Sequence, residues 1–319
     1  HSFPTRRSSD LAVAAIISSN ITGAPALNVT PMDGDEQFTL NPAANGSMSI
    51  GSVTGSGGTG SEKLNLQGGA GSSGTISAAN GVKVIQTTGV WTLGSGFGYG
   101  HAISGGTLTL NGNLNATSRS VTLSGTGLIN YNAANAVSVT AANATANTDN
   151  GFRLQTGASI DQTSGAAINT STTNPSMTWE GNWTFIGTNG ANSNLNLGTG
   201  NVFLKAANPQ LTVTNAATTL TVGGVIANDA AAGRGLTKAG LGTLKFSGAN
   251  TYTGATAVSA GKLLIHGDQS NASGNVGVAS GATLGGTGTI GGVTTVDAGG
   301  ILAHLQDDTH VLARVAGIE

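Results

Sequence analysis

The chain has 319 residues, 52 of them glycine; 8% are charged, 4% aromatic and 38% hydrophobic, and the formal net charge is -2. So few large side chains exclude a conventional globular core, and an apolar share built mainly on Ala, Val, Leu and Ile excludes a disordered polar linker. Having no Cys excludes disulfides, thiol chemistry and Cys-ligated metals, and singly scattered Lys and Arg argue against nucleic acid or an anionic membrane surface as partner.

In chain order, HSFPTRRSSDL at the start resembles a translated sequencing-adapter peptide, so residues 1–10 are set apart from the fold, Phe3 included. LAVAAII, from Leu11 to Ile17, has the outline of a signal peptide. It also shares its pattern with Leu220–Asn228, and the preferred reading is one more copy of an internal repeat. Asp33-Gly34-Asp35-Glu36 lacks the spacing of a calcium loop and reads as an acidic turn. The Gly- and Ser-rich stretch 51–81 still alternates at LNL and TIS, and is expected to form thin coils.

Beyond it, short period-2 runs dominate. Leu108 and Leu110, Val121 and Leu123, Val137 and Val139, Leu211 and Val213, and Leu244 and Phe246 each mark a strand that buries one face. Each run ends in Gly, Asn, Ser or Asp, residues that tolerate left-handed turns. Thr107-Leu108-Thr109 is a Thr-x-Thr row, but such rows are too sporadic to favour an ice-binding face. From Met177 to Phe185 the odd positions place Met177, Trp179, Trp183 and Phe185 on one inward face; the rival reading is a sugar-stacking platform.

Gly-x-Leu or a close variant returns at Leu244, Leu263, Leu284 and Leu302, at nearly even spacing. A short regular period of this kind signals solenoid coils. The expected fold is therefore an all-β, right-handed, single-stranded parallel β-helix from about Leu11 to Ala303, best defined over 220–302. Leu263 and Ile265 join the interior, while Thr, Ser, Asn and Lys face water. Roughly 290 residues at about 20 to 25 per coil give about a dozen coils stacked about 4.8 Å apart, a rod on the order of 60 Å. Residues 304–319 lose the rhythm and read as a non-repeat tail, with acids Asp307 and Asp308 opening a short helix or a truncation tail; the chain is expected to be an internal fragment of a longer protein.

LTKAGLGTLKFSGANTYTGATAVSAGKLLI closely resembles the autotransporter-associated β-strand repeat. The positions that carry the resemblance are Lys238, Gly240, Gly242, Leu244, Ser247, Gly248, Asn250, Thr251, Tyr252, Gly254, Gly261 and Leu263. The specific match is confined to this stretch; elsewhere only composition and rhythm agree. The resemblance implies a parallel β-helix in the exported passenger of a bacterial surface protein, extracellular or associated with the outer membrane, in which these repeats are structural and no catalytic residue is assigned.

Chemistry is sparse by residue type as well. A polysaccharide lyase or glycoside hydrolase on this scaffold needs clustered carboxylates or basic groups on one outer face. Yet Asp161, Glu180, Asp229, Asp268 and Asp297 stand singly and read as solvated surface. GGTGTIGGV, from Gly285 to Val293, has Ile290 and no Asp at the ligand position of a calcium nonapeptide. His266, Asp268 and Ser270 supply triad residue types, but nothing in the pattern orients His266 as a base. The sequence thus assigns no catalytic, cofactor or metal residue. It points to a non-enzymatic structural or adhesive rod, monomeric, with surface glycans or neighbouring cells as partners; the alternative is a polysaccharide-active β-helix enzyme.

Overall fold

The computed structural model describes residues 151–170 and 174–303. Before them it describes 14–17, 26–28, 37–54, 63–68, 73–80, 83–88, 90–95, 101–110, 114–115, 120–134 and 137–138, and after them 314–315. The expectations for residues 1–10, for Leu11 and for the acidic turn at Asp33–Glu36 lie outside the described residues. Of the tail, Arg314–Val315 is described, as a short strand beside Thr295–Val296 and not as part of a helix.

Regular structure among the described residues is almost entirely β. Short strands stack in parallel into sheets of fourteen, ten and seven strands, with two further two-stranded pairs. From residue 159 to residue 228 the chain visits the three large sheets in a fixed cycle. Ser159–Gln162 lies in the fourteen-stranded sheet, Ile168–Asn169 in the seven-stranded sheet and Met177–Trp179 in the ten-stranded sheet, and the next coil repeats the order. This is a β-solenoid. No single coil buries enough apolar surface alone, so each depends on its neighbours for both its ladder and its core.

Coil length varies. The step from Gly277 to its partner Thr295 is short, and that from Thr237 to Ala257 is little longer, but Leu128 pairs with the far more distant Ser159. This range is wider than the near-constant period expected, so the coil count departs somewhat from a dozen. Corners absorb the extra residues: between Trp183–Phe185 and Leu195–Asn196 the chain inserts a 3-10 turn at Gly190–Ser193.

The recurring Gly-x-Leu has a direct structural meaning. Ile168, Leu195, Leu220, Leu244, Leu263, Leu284 and Leu302 form one register column of the seven-stranded sheet. The column is buried from Leu195 to Leu284, each leucine contributing about 1.5–3 kcal/mol by burial. Leu108, Leu110, Val121, Leu123, Phe246 and Ile265 are buried as the alternation predicts. Met177, Trp179, Trp183 and Phe185 are buried too, and Trp179 and Trp183 meet edge to face at 5.3 Å, so this aromatic cluster fills the interior and offers no sugar platform. Within 51–81, Lys63–Leu66 and Ser73–Asn80 are strands that bury Leu64, Leu66 and Ile76.

Glycine columns make the corners. A Cβ on Gly267 would lie 2.2 Å from the carbonyl oxygen of Gly248, and one on Gly288 2.2 Å from that of Gly267. At this corner consecutive coils approach too closely for any side chain, which is why a solenoid with tight corners carries so much glycine.

Candidate functional site

The residues of the repeat motif converge on one stretch of the rod, and each has a definable task. In the strand Leu236–Ala239, period-2 alternation turns both Leu236 and Lys238 inward. Lys238 stands in register between Leu211 and Val258 and is fully buried. Its aliphatic stem therefore lies in the core column, and its head leaves at the corner. There Nζ donates to the carbonyl oxygens of Ala239 at 3.0 Å, Gly240 at 2.9 Å and Ala260 at 3.0 Å. Three donors meet three acceptors, which satisfies the ammonium and clamps two successive corners. Burial lowers its pKa to about 8. This corrects the expectation that lysines face water. The signal was present, since Lys238 shares the parity of buried Leu236.

Asn250 is fully buried as well. Its Oδ1 accepts from the Ile226 N–H at 2.8 Å, and the Thr251 N–H donates to the Ile226 carbonyl at 2.8 Å. Ile226–Asn228 is the last strand of the ten-stranded sheet. Asn250 and Thr251 thus supply the hydrogen bonds that another strand would otherwise give. Tyr252 is buried, with its hydroxyl 2.6 Å from Thr256 Oγ1. Burial pushes its pKa up to about 12, with the Thr256 bond opposing the rise. Below it a small interior cavity, bordered by Leu263, Gln269 and Ile290, is too small for a sugar ring.

Elsewhere in the rod, three acids expected to be solvated surface are engaged in hydrogen bonds or ion pairs. Asp161 is buried and accepts from the backbone N–H groups of Gln162, Gly187 and Thr188 and from the Thr188 hydroxyl, which pins the inserted corner to the coil before it. Glu180 accepts from Arg153 twice at 2.8 Å, from Gln155 and from Thr178. Burial alone would raise its pKa, but these bonds and the Arg153 charge bring it below the usual value. Asp229 binds Arg234 through both oxygens. The sequence reading missed these because their partners lie a coil or a corner away. Asp268 and Asp297 are exposed as expected.

His266, Asp268 and Ser270 are not wired as a triad. His266 is exposed, and its Nδ1 lies 3.1 Å from Thr287 Oγ1 in the next coil. Desolvation and then the Lys245 charge lower its pKa. Asp268 instead accepts from the Ser270 N–H at 2.9 Å. Ile290 of the glycine-rich stretch is buried. Among the described residues no three His, Asp or Glu side chains gather as metal ligands would.

Lys238, Asn250 and Tyr252 fall inside one compact segment, and the family description of the passenger-associated-transport-repeat matches residues 236–265. This segment is similar to a passenger-associated transport repeat. The chain is also 54% identical over 63 residues to the adhesin BmaC autotransporter of Brucella suis biovar 1 (strain 1330). That stretch is 20% of this chain and 2% of the adhesin, so the similarity covers only a small part of a very long relative. No solved structure matches the chain. Within the matched segment, Lys238, Asn250 and Ser259 make side-chain hydrogen bonds from one coil to the next, Tyr252 bonds Thr256 within its own coil, and Gly248 and Gly261 stand at tight corners.

Proposed function

We propose that the chain is a non-catalytic, extracellular segment of a bacterial surface passenger, a rod that spaces and presents adhesive surface. The observation that supports this best is the passenger repeat at 236–265 set into a parallel ladder whose polar groups are spent on structure. Likeness to an adhesin adds the adhesive half of the reading. Surface glycans or neighbouring cells are the proposed partners. Among the described residues no helix is long and apolar enough to cross a membrane.

A polysaccharide-active enzyme needs carboxylates free to exchange protons at a groove. Asp161, Glu180 and Asp229 are instead bound by backbone N–H groups or arginines. The test pairs two measurements on the purified chain: bead attachment to cultured cells, and product release from a panel of polysaccharides. Attachment without turnover is expected. Turnover abolished by neutralising Asp268 or Asp297 would sink the structural reading in favour of the enzyme.

A further inference from the structure

The chain's few cations are distributed unevenly once the fold is known. Arg153 and Arg234 are bound to carboxylates, and Lys238 is buried. Lys245 and Lys262 are different. Both project from the outer face of the seven-stranded sheet, on adjacent rungs: Thr243 stands beside Lys262, and Lys245 beside Leu264. The two lysines are thus diagonal neighbours, their Cα atoms about 8 Å apart by the spacing of a parallel ladder. His266, one residue past the strand Lys262–Ile265, lies near enough to feel the Lys245 charge.

Among the described residues no Asp or Glu occupies any strand of this sheet. Around the lysines the outward positions carry hydroxyls at Thr221 and Thr243 in the earlier coils and Thr283 in the later one, with half-buried Leu264 beside Lys245. Its aromatic residue, Phe246, is buried inward. The strands of this face therefore carry cations and no carboxylate, with exposed Asp268 beyond its edge past His266, and they are rich in hydrogen-bonding hydroxyls and free of outward aromatic rings. Single-stranded nucleic acid is bound on aromatic platforms, and anionic membranes by clusters of several Lys or Arg. An acidic polysaccharide needs neither: carboxylates spaced along a hydroxyl-bearing chain meet both the cations and the threonines.

We infer that this face, from Thr221 to Thr283 with Lys245 and Lys262 at its centre, binds a carboxylate-bearing polysaccharide. The inference rests on the adhesive reading and names the chemical class of its partner. Electrophoresis of the full chain through gels containing hyaluronan, neutral dextran or single-stranded DNA tests it. Retardation by hyaluronan alone is expected, weakened about tenfold in K245A/K262A, kept in K245R/K262R and Lys205→Ala, and lost in about 0.5 M salt. Equal retardation by dextran, stronger retardation by DNA, or unchanged hyaluronan binding in K245A/K262A would overturn it. Bead attachment to cultured cells separates the two levels. Attachment without hyaluronan binding overturns this inference alone, and loss of both overturns the adhesive reading with it.

Discussion

Lys238 Nζ donates a 3.0 Å hydrogen bond to the carbonyl oxygen of Ala260, one coil along the rod. Parallel ladders fix the strands of a solenoid but leave its corners to other groups, and here a buried ammonium bridges two of them. Removing it strands three corner carbonyls. Lys238→Ala is expected to lower the unfolding free energy by about 3 kcal/mol, through the cavity left by the stem and the lost charged hydrogen bonds. Lys238→Met keeps the stem and is expected to cost about 1–2 kcal/mol. Urea denaturation of both variants checks this; equal stability of Lys238→Ala and the parent chain would remove the clamp from the account.

The same lysine sets an alkaline trend. Its folded pKa is about 8, whereas in the unfolded chain it keeps its proton to the ordinary value of 10.5. Between these values the unfolded state binds more protons, so stability rises as pH climbs from about 8 towards 10. Tyr252 acts in the opposite sense higher up. Its hydroxyl stays protonated in the fold to about 12, while the unfolded residue ionises from its ordinary 10.0, so stability falls again above about pH 10. Denaturation midpoints from pH 7 to 11 are expected to pass through a maximum, and Lys238→Met to flatten the rise on its alkaline approach.

Much of this architecture was legible in the sequence because a solenoid writes its geometry into local pattern. Leu244, Leu263 and Leu284 recur at the coil length and form one column, and the odd positions from Met177 to Phe185 share an inward face. What escaped depends on neighbours a coil away. Asp161 looks like a lone surface acid until Gly187 and Thr188 fold over it, and the proximity of Lys245 to Lys262 is invisible until Thr243 is placed beside Lys262. The burial of Lys238 escapes for another reason: its charge marks it as surface, whereas its parity with Leu236 places it inside.

Acid is expected to act through Glu180. Its folded pKa lies below the ordinary carboxylate value, so its contribution is fully present above about pH 4.5 and is lost as pH falls through the lowered folded value. Arg153 loses its partner in that range, and Gln155 and Thr178 lose a charged acceptor. Glu180→Gln removes this proton linkage. The variant is expected to be less stable than the parent at neutral pH and to lose less stability on acidification from pH 6 to 3. Parallel acid-dependence curves for the two proteins would show that the pair with Arg153 contributes nothing to acid sensitivity.

Two glycines of the rod separate close packing from composition. Gly261 has φ of 63° and sits where an added Cβ would lie 2.4 Å from the Gly240 carbonyl oxygen and 2.6 Å from that of Gly242. Gly277 has neither constraint: no positive φ is found there, and a Cβ would meet nothing within 4 Å. Gly261→Ala must adopt a left-handed backbone and also push two corners apart. It is expected to cost about 2–3 kcal/mol, from backbone strain and overpacking together. Gly277→Ala adds a side chain on the exposed face of a strand and restricts the unfolded chain. It is expected to be neutral or to stabilise by up to about 1 kcal/mol. Hydrogen exchange gives a local reading of the same contrast. Gly261→Ala should speed exchange at the Lys262 N–H, which donates to the Gly242 carbonyl across the altered corner, and at the Thr283 N–H, which donates to Gly261 itself. Similar stability and exchange in the two variants would mean that the glycine columns reflect composition alone and that the corners have room to spare.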